Sequence, residues 1–176
     1  RPERARFGVA GGALGALGAG ARDPYGGVLA GVGIAAGVSF PGLKPLRGHL
    51  RIDGSWHGGR HTVRKGPSEY VASIHALRLS GTLGLHLRLA RFGLVVGPTA
   101  GLMTALRFAA DSAGPAAPHV LTWEVGALLE PSISIDQRLA VSLGLSITAT
   151  GADLNGLGLP APVVYGLVQG GLTWSL

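Results

Sequence analysis

Bulky apolar residues recur at every second position through most of this chain, and that period limits the folds it can adopt. From Leu77 to Leu89 the odd positions are all Leu or Gly, while the even positions include Arg78, His86 and Arg88. A period of two places each set on its own face of a β-strand, whereas a helix would scatter both sets around its axis. Residues 24–43 and 155–176 are long and uncharged enough to suggest membrane helices. Since they show the same alternation, we predict strands there too.

The alternation predicts eight strands. Seven segments have a clear phase, and a Gly/Ala-rich segment at 7–18 is taken as the eighth; the seven are 28–40, 49–57, 77–89, 92–107, 121–135, 139–148 and 164–176. Within them the ionisable side chains all fall on the polar face: Arg51, Asp53, Arg78, His86, Arg88, Arg107, Glu124 and Glu130. Runs of this length exceed the ~5–6 residues of an ordinary strand and suit the ~9–11 residues of a tilted membrane-spanning one.

A sheet in hydrocarbon must close on itself, because each unpaired backbone group there costs several kcal/mol. We therefore predict an all-β fold, a transmembrane up-and-down antiparallel barrel of about eight strands, with residues 1–176 forming a single domain. Its apolar face should meet lipid and its polar face should point into the lumen.

Composition agrees with a membrane location. Charged residues make up only 14% of the chain, against ~25% in ordinary soluble proteins. The absence of cysteine excludes disulfides and thiolate metal sites. The net charge of +6 suits anionic phosphates, but the basic residues are dispersed rather than gathered on one aromatic-rich face, so we predict no nucleic-acid partner.

The links between strands alternate in length. Short links are predicted at 41–47, 90–91 and 136–138, and longer ones at 19–24, 58–68, 109–118 and 150–162. In outer-membrane barrels short turns face the periplasm and long loops face outward. The same rule predicts that both termini are periplasmic.

By this pattern the chain resembles, over almost its whole length, the small eight-stranded outer-membrane proteins of the OmpA, OmpX and OmpW type. Its last segment, Tyr165 to Leu176, resembles the C-terminal β-signal of such proteins, with Trp174 in place of a terminal aromatic residue. The resemblance implies a location in the outer membrane of a Gram-negative bacterium. Aromatic residues lie mostly near predicted strand ends, where interfacial girdles occur: Phe7, Tyr25, Phe40, Trp56, Phe92, Phe108, Trp123 and Trp174.

An eight-stranded barrel is just wide enough to be filled by its own side chains. Because lone buried charges are very unfavourable, we predict that the eight inward ionisable residues form a salt-bridged polar interior. The alternative is a narrow water or ion path through Gly-lined gaps.

Few residues outside the interior suggest chemistry. His57 and His61 lack a nearby carboxylate, so we predict no metal site and no cofactor. A lipid A deacylase would need a His-x-Ser arrangement, whereas His119 is followed by Val120 and Leu121, so an enzyme is not predicted. The predicted loop at 58–68 carries Arg60, Arg64 and Lys65, which either contact lipopolysaccharide phosphates or belong to an ordinary solvated loop.

Three functions follow, in this order. The first is a structural or interaction component, an anchor or a subunit of an envelope complex, whose partners would be membrane lipids, lipopolysaccharide and other envelope proteins. Its smooth lipid face at Gly11, Gly15, Gly166 and Gly170 would allow close packing of another barrel or helix. The second is a small channel for water-soluble or hydrophobic compounds. The third is a lipid-modifying enzyme.

Overall fold

The computed structural model describes residues 5–17, 28–40, 45–65, 68–109, 120–150 and 163–175. At 15–17, 28, 61–65, 68–70, 72, 105, 107–109, 120 and 163 only the backbone is described. No helix in these ranges is long and apolar enough to span a membrane.

Eight antiparallel strands form a closed barrel in which every strand pairs with its neighbours in sequence and β1 pairs with β8. The strands are β1 (Arg6–Leu17), β2 (Val28–Phe40), β3 (Leu46–Lys65), β4 (Ser68–Leu89), β5 (Phe92–Ala109), β6 (Val120–Ser134), β7 (Leu139–Thr150) and β8 (Val163–Ser175). The predicted fold class, strand number and up-and-down order are confirmed.

The two faces of the sheet are inverted relative to a soluble protein. Among the described residues, fifteen polar or charged side chains are buried against nine apolar ones, and large apolar side chains such as Ile34 (69% exposed) and Leu83 (67%) point outward. Water would penalise this apolar exterior by ~25 cal/mol for each Å². Hydrocarbon solvates it without penalty, so the outer wall is a lipid-facing surface.

Outward aromatic side chains mark two levels on that wall. Phe40 and Phe92 lie at the end of the barrel that carries the short turns, which we call the turn end, and Trp56 and Trp123 lie towards the other end, the loop end. Phe40 pairs with Gly48, eight residues before Trp56 on β3, and Trp123 pairs with Leu102, ten residues after Phe92 on β5. These separations match the ~9–11 residues of a spanning strand.

The prediction of a loop at 58–68 is wrong. Strands β3 and β4 continue beyond Trp56 as a paired hairpin up to Lys65 and Ser68, leaving only residues 66–67 between them. Beyond the aromatic level neither face of a strand needs to be apolar, so the two-residue period that predicts strands is lost. The other predicted long loops, apart from the strand ends Ala109 and Thr150, lie outside the described residues.

The predicted short turns at 90–91 and 136–138 are confirmed. Ala90 has a φ of 51°, in the left-handed region, which costs a residue with a Cβ roughly 1–2 kcal/mol. In the second turn one carboxylate oxygen of Asp136 accepts hydrogen bonds from the backbone amides of Arg138 (2.6 Å) and Leu139 (2.7 Å). These two bonds lower the pKa of Asp136. The link predicted at 41–47 shrinks because β3 begins at Leu46, and residues 41–44 lie outside the described part.

Candidate functional site: the barrel interior

The turn-end half of the lumen contains a three-residue ion cluster. Arg51 points inward from β3 and contacts Asp53 on the same strand, with Nη2 at 2.6 Å and Nε at 2.7 Å from Oδ1. Its Nη1 also pairs with the carboxylate of Glu130 on β6, across the lumen. One guanidinium thus joins two carboxylates from strands that are not neighbours in the sheet.

A second ion pair lies nearer the loop end. Arg78 on β4 donates two hydrogen bonds to Glu124 on β6, from Nε to Oε2 at 2.8 Å and from Nη2 to Oε1 at 3.0 Å. The side chains are 4% and 1% exposed. This bidentate arrangement is the strongest form of an arginine–carboxylate contact, and it offsets the desolvation of both charges.

Two histidines and a serine fill the turn end of the lumen. Ser39 Oγ lies 3.1 Å from Nδ1 of His49 and 3.1 Å from Nδ1 of His86, and the two imidazole rings meet edge to face with centroids 5.8 Å apart. All three side chains are buried. The hydrogen bonds that hold His86 in this group therefore come from a serine and not from a carboxylate.

The remaining members of the predicted charged interior do not join these clusters in the described structure. Arg88 has the inward phase of β4, but it lies one residue from the strand end and its side chain is exposed. The side chain of Arg107 lies outside the described residues. The charges that are brought together are thus two separate groups, around Arg51 and around Arg78.

Apolar side chains close the lumen towards the loop end. We call this group the apolar seal; each member is at most 6% exposed, and they are Leu14, Leu29, Ile74, Ala76, Met103, Tyr165 and Leu167. The prediction of an entirely polar interior is wrong at this level. Leu14 comes from a strand in which Gly and Ala occur on both faces, so the alternation there carries little information on which apolar residues turn inward.

The spaces left inside the barrel are large enough for only one or two water molecules each. Three interior cavities have volumes of about 20, 30 and 10 Å³, where ~10–15 Å³ accommodates one water molecule. The first is lined by Arg78 and by Ser146, whose buried hydroxyl has no protein partner. The second and third share Arg51 and Glu130. None of these described cavities is wide enough for a solute.

A much wider depression, of about 1030 Å³, lies on the outer wall. Outward apolar side chains border it, among them Ile34 and Trp56, and glycines form part of its floor. Gly11 and Gly170 are paired across β1 and β8, and a Cβ on Gly170 would meet no atom within 4 Å. Two of the four glycines of the smooth face anticipated from the sequence, Gly11 and Gly170, thus lie in a depression that hydrocarbon chains can fill.

The described residues include no group of three or more His, Asp or Glu side chains that could hold a metal ion. His57 is buried beside Ser55, with its Nε2 3.1 Å from the hydroxyl and its Nδ1 without a partner. Gly31 makes room for this ring, since a Cβ there would stand 2.4 Å from the imidazole nitrogen.

Comparisons with known proteins show the fold. No family model and no curated protein sequence matches the chain. Solved structures do match: Neisserial surface protein A (13% identity, 98% of this chain and 97% of the other, TM-score 0.56), the attachment invasion locus protein Ail of Yersinia pestis (9%, 100% and 100%, 0.60) and the outer-membrane protease OmpT of Escherichia coli (8%, 99% and 97%, 0.53). The chain therefore has the fold of the small outer-membrane β-barrels, as its resemblance to them predicted.

Proposed function

We propose that the chain is a non-conducting barrel of a Gram-negative outer membrane, acting as an anchor or as a subunit of an envelope complex. The observation that carries this proposal is the filled lumen. Two ion clusters and the apolar seal occupy successive levels of the described interior, and the cavities between them hold one or two waters each. A barrel filled in this way offers its partners the outer wall and the two ends.

A non-enzymatic role is part of the same proposal. In the described residues, Ser39, His49 and His86 form one hydrogen-bonded group buried in the lumen, and the buried His57 forms a second group with Ser55. A hydrolase needs a nucleophile that its substrate can reach and a group that orients the base. The histidines of both groups are buried in the lumen, and none of the hydrogen bonds described for them involves a carboxylate. Both features argue against hydrolysis at these groups.

Conductance in a planar lipid bilayer tests the proposal. The refolded wild-type barrel should be electrically silent, while its altered gel mobility before heating verifies that it is folded. A variant lacking two obstructions, Met103→Gly with Arg78→Ser and Glu124→Ser, serves as the positive control and should pass ions. Steady openings of the wild-type barrel that change in size in Arg78→Ala would support a channel instead.

We also propose that the β3–β4 hairpin contacts lipopolysaccharide. The hairpin extends nine residues past the aromatic level at Trp56, and it carries Arg60, Arg64 and Lys65 along β3. Arg60 is exposed, whereas the side chains of Arg64 and Lys65 lie outside the described residues. Ail, which shares the fold, has been solved with the heparin analogue sucrose octasulfate, so an anionic ligand has a precedent on this architecture.

Lipopolysaccharide added to one side of reconstituted vesicles tests this contact. Lipopolysaccharide should protect the hairpin of the wild type from trypsin. The variant Arg60→Gln/Arg64→Gln/Lys65→Gln has lost these trypsin sites, so its hairpin is cleaved with a protease that does not require a basic residue. Lipopolysaccharide should not protect the variant from that protease. Equal protection of both proteins would contradict the proposal. A matched control, Arg91→Gln at the opposite end, should behave like the wild type.

A further inference from the structure

Arginine side chains are concentrated at the turn end of the barrel. We call them the arginine collar: Arg6, Arg47, Arg88, Arg91 and Arg138. Within the described part of this end, Asp136 is the one carboxylate outside the lumen, and it is held by two backbone amides. Asp53 and Glu130 lie inside the barrel and pair with Arg51. The outer part of the turn end therefore carries an excess of positive charge.

Part of the collar is subject to repulsion between like charges. Arg6 and Arg88 lie close enough to interact unfavourably, although Arg6 is also within reach of Glu130. Arg6, Arg47 and Arg88 all act electrostatically on the ring of His86.

The collar lies at the membrane surface, because four outward aromatic residues accompany it. Arg6 and Arg91 each precede a phenylalanine, Phe7 and Phe92. Arg138 precedes Leu139, whose cross-strand partner is Trp174. Arg47 precedes Gly48, whose partner is Phe40. The Phe7 and Trp174 rings stack with centroids 6.5 Å apart.

Aromatic side chains of this kind sit at the level of lipid headgroups. Arg88 pairs with Gly93, one residue nearer the membrane centre than Phe92. The other collar arginines are each one residue further from the membrane centre than the aromatic level: Arg6, Arg47, Arg91 and Arg138. That is the depth of the phosphate groups, which guanidinium binds well through paired hydrogen bonds.

We propose that the outer members of the arginine collar, Arg91 and Arg138, bind the phosphate groups of anionic phospholipids in the leaflet that meets the turn end. Arg6, Arg47 and Arg88 have the inward phase of their strands and add positive charge at the mouth of the lumen. Arg91 and Arg138 form the outer contacts, since both are exposed in turns. The site goes beyond the proposed anchoring function by giving the barrel a lipid preference at one end. The interaction should weaken as salt screens it.

Tryptophan quenching by brominated lipids can measure this preference at one end of the barrel. The chain has three tryptophans, and Trp174 is the one beside the collar. In a Trp56→Phe/Trp123→Phe background, Trp174 reports on nearby lipid. Vesicles with brominated acyl chains on either phosphatidylglycerol or phosphatidylcholine then give the relative binding constant of the two headgroups.

We expect the quenching of Trp174 to give a relative binding constant that favours phosphatidylglycerol over phosphatidylcholine several-fold. At low salt each arginine should contribute a factor of up to about five. The variant Arg91→Gln/Arg138→Gln should lose most of the preference, and Arg60→Gln at the opposite end should retain it. In the reciprocal background, Trp174→Phe, the quenching of Trp56 and Trp123 at the loop end reports on lipid there. Arg91→Gln/Arg138→Gln should not change the headgroup preference measured at these two tryptophans. Equal quenching by both lipids, or a preference that survives Arg91→Gln/Arg138→Gln, would overturn the proposal. Gel mobility before heating verifies that every variant is folded.

Discussion

The Arg78–Glu124 pair allows the most direct test of how the lumen is stabilised. Its side chains are 4% and 1% exposed and share two hydrogen bonds. Removing one member leaves an uncompensated charge in a site that water barely reaches, which costs about 3–5 kcal/mol. Replacing both members by apolar residues of similar volume removes the desolvation penalty as well as the attraction, and is often close to neutral.

The two single variants should differ from each other. In Glu124→Leu the remaining guanidinium cannot lose its proton, so the full penalty of about 3–5 kcal/mol applies. In Arg78→Met the remaining carboxylate can become neutral by taking up a proton, which limits the loss of stability. That loss should therefore shrink as the pH is lowered.

Urea unfolding in phospholipid vesicles, followed by tryptophan fluorescence and gel mobility, measures these free energies. The double variant Arg78→Met/Glu124→Leu should recover most of the loss, so that the double-mutant cycle shows strong coupling. Arg60→Met, an exposed control on the hairpin, should change stability by less than ~0.5 kcal/mol. The reasoning fails if Glu124→Leu stays within about 1 kcal/mol of the wild type, or if the two single effects simply add.

Three other perturbations test separate parts of the barrel. On the lipid face, Leu83→Arg should cost about 2–4 kcal/mol in vesicles, against about 0–1 for Leu89→Arg near the turn end; equal losses would contradict the assigned membrane level. In the wall of the barrel, Gly126→Ala should destabilise the fold by about 1–3 kcal/mol, because its Cβ would stand 2.0 Å from a backbone oxygen. Gly170→Ala should be tolerated, because a Cβ there has open space. Urea unfolding measures both free energies, and equal losses would contradict the prediction. The lowered pKa of Asp136 predicts that its carboxylate stabilises the fold above pH ~4 and that this contribution is lost as the pH falls through the pKa in the folded barrel. Stability curves of the wild type and Asp136→Ala should therefore converge on acidification, and curves that stay parallel would refute the assignment.

The strands and their faces could be predicted because lipid and lumen impose opposite demands along the same backbone. Leu83 and Thr82 are neighbours, yet one must be apolar and the other can be polar, so the sequence records the face of each. The same reasoning could not find the outer part of β3, from Gly59 to Lys65. There both faces meet water, and the pattern that identifies a strand is absent even though pairing with β4 continues.

The sequence predicts that charged side chains pair inside the lumen, but it does not predict which residues form each pair. Arg51 and Glu130 are 79 residues apart in sequence, and whether they meet depends on the stagger of all the strands between them. The apolar seal was missed for another reason. Leu14 belongs to a strand made largely of Gly, Ala and Leu, where an inward leucine looks no different from an outward one.

The order of these groups along the axis gives the lumen two unlike ends. At the turn end the cavities are lined by Arg6, His49 and Glu130, polar groups that hold water readily. Towards the loop end the residues of the seal are apolar apart from the tyrosine hydroxyl, and two buried polar residues, His57 and Thr122, pair with Ala76 and Met103 of the seal. Water that enters from the turn end can therefore reach the cavities beside Arg51 and Glu130 without crossing the seal. Because the described lumen is filled by the barrel's own side chains, the side chains that remain exposed to a partner lie on the hairpin, the outer wall and the arginine collar.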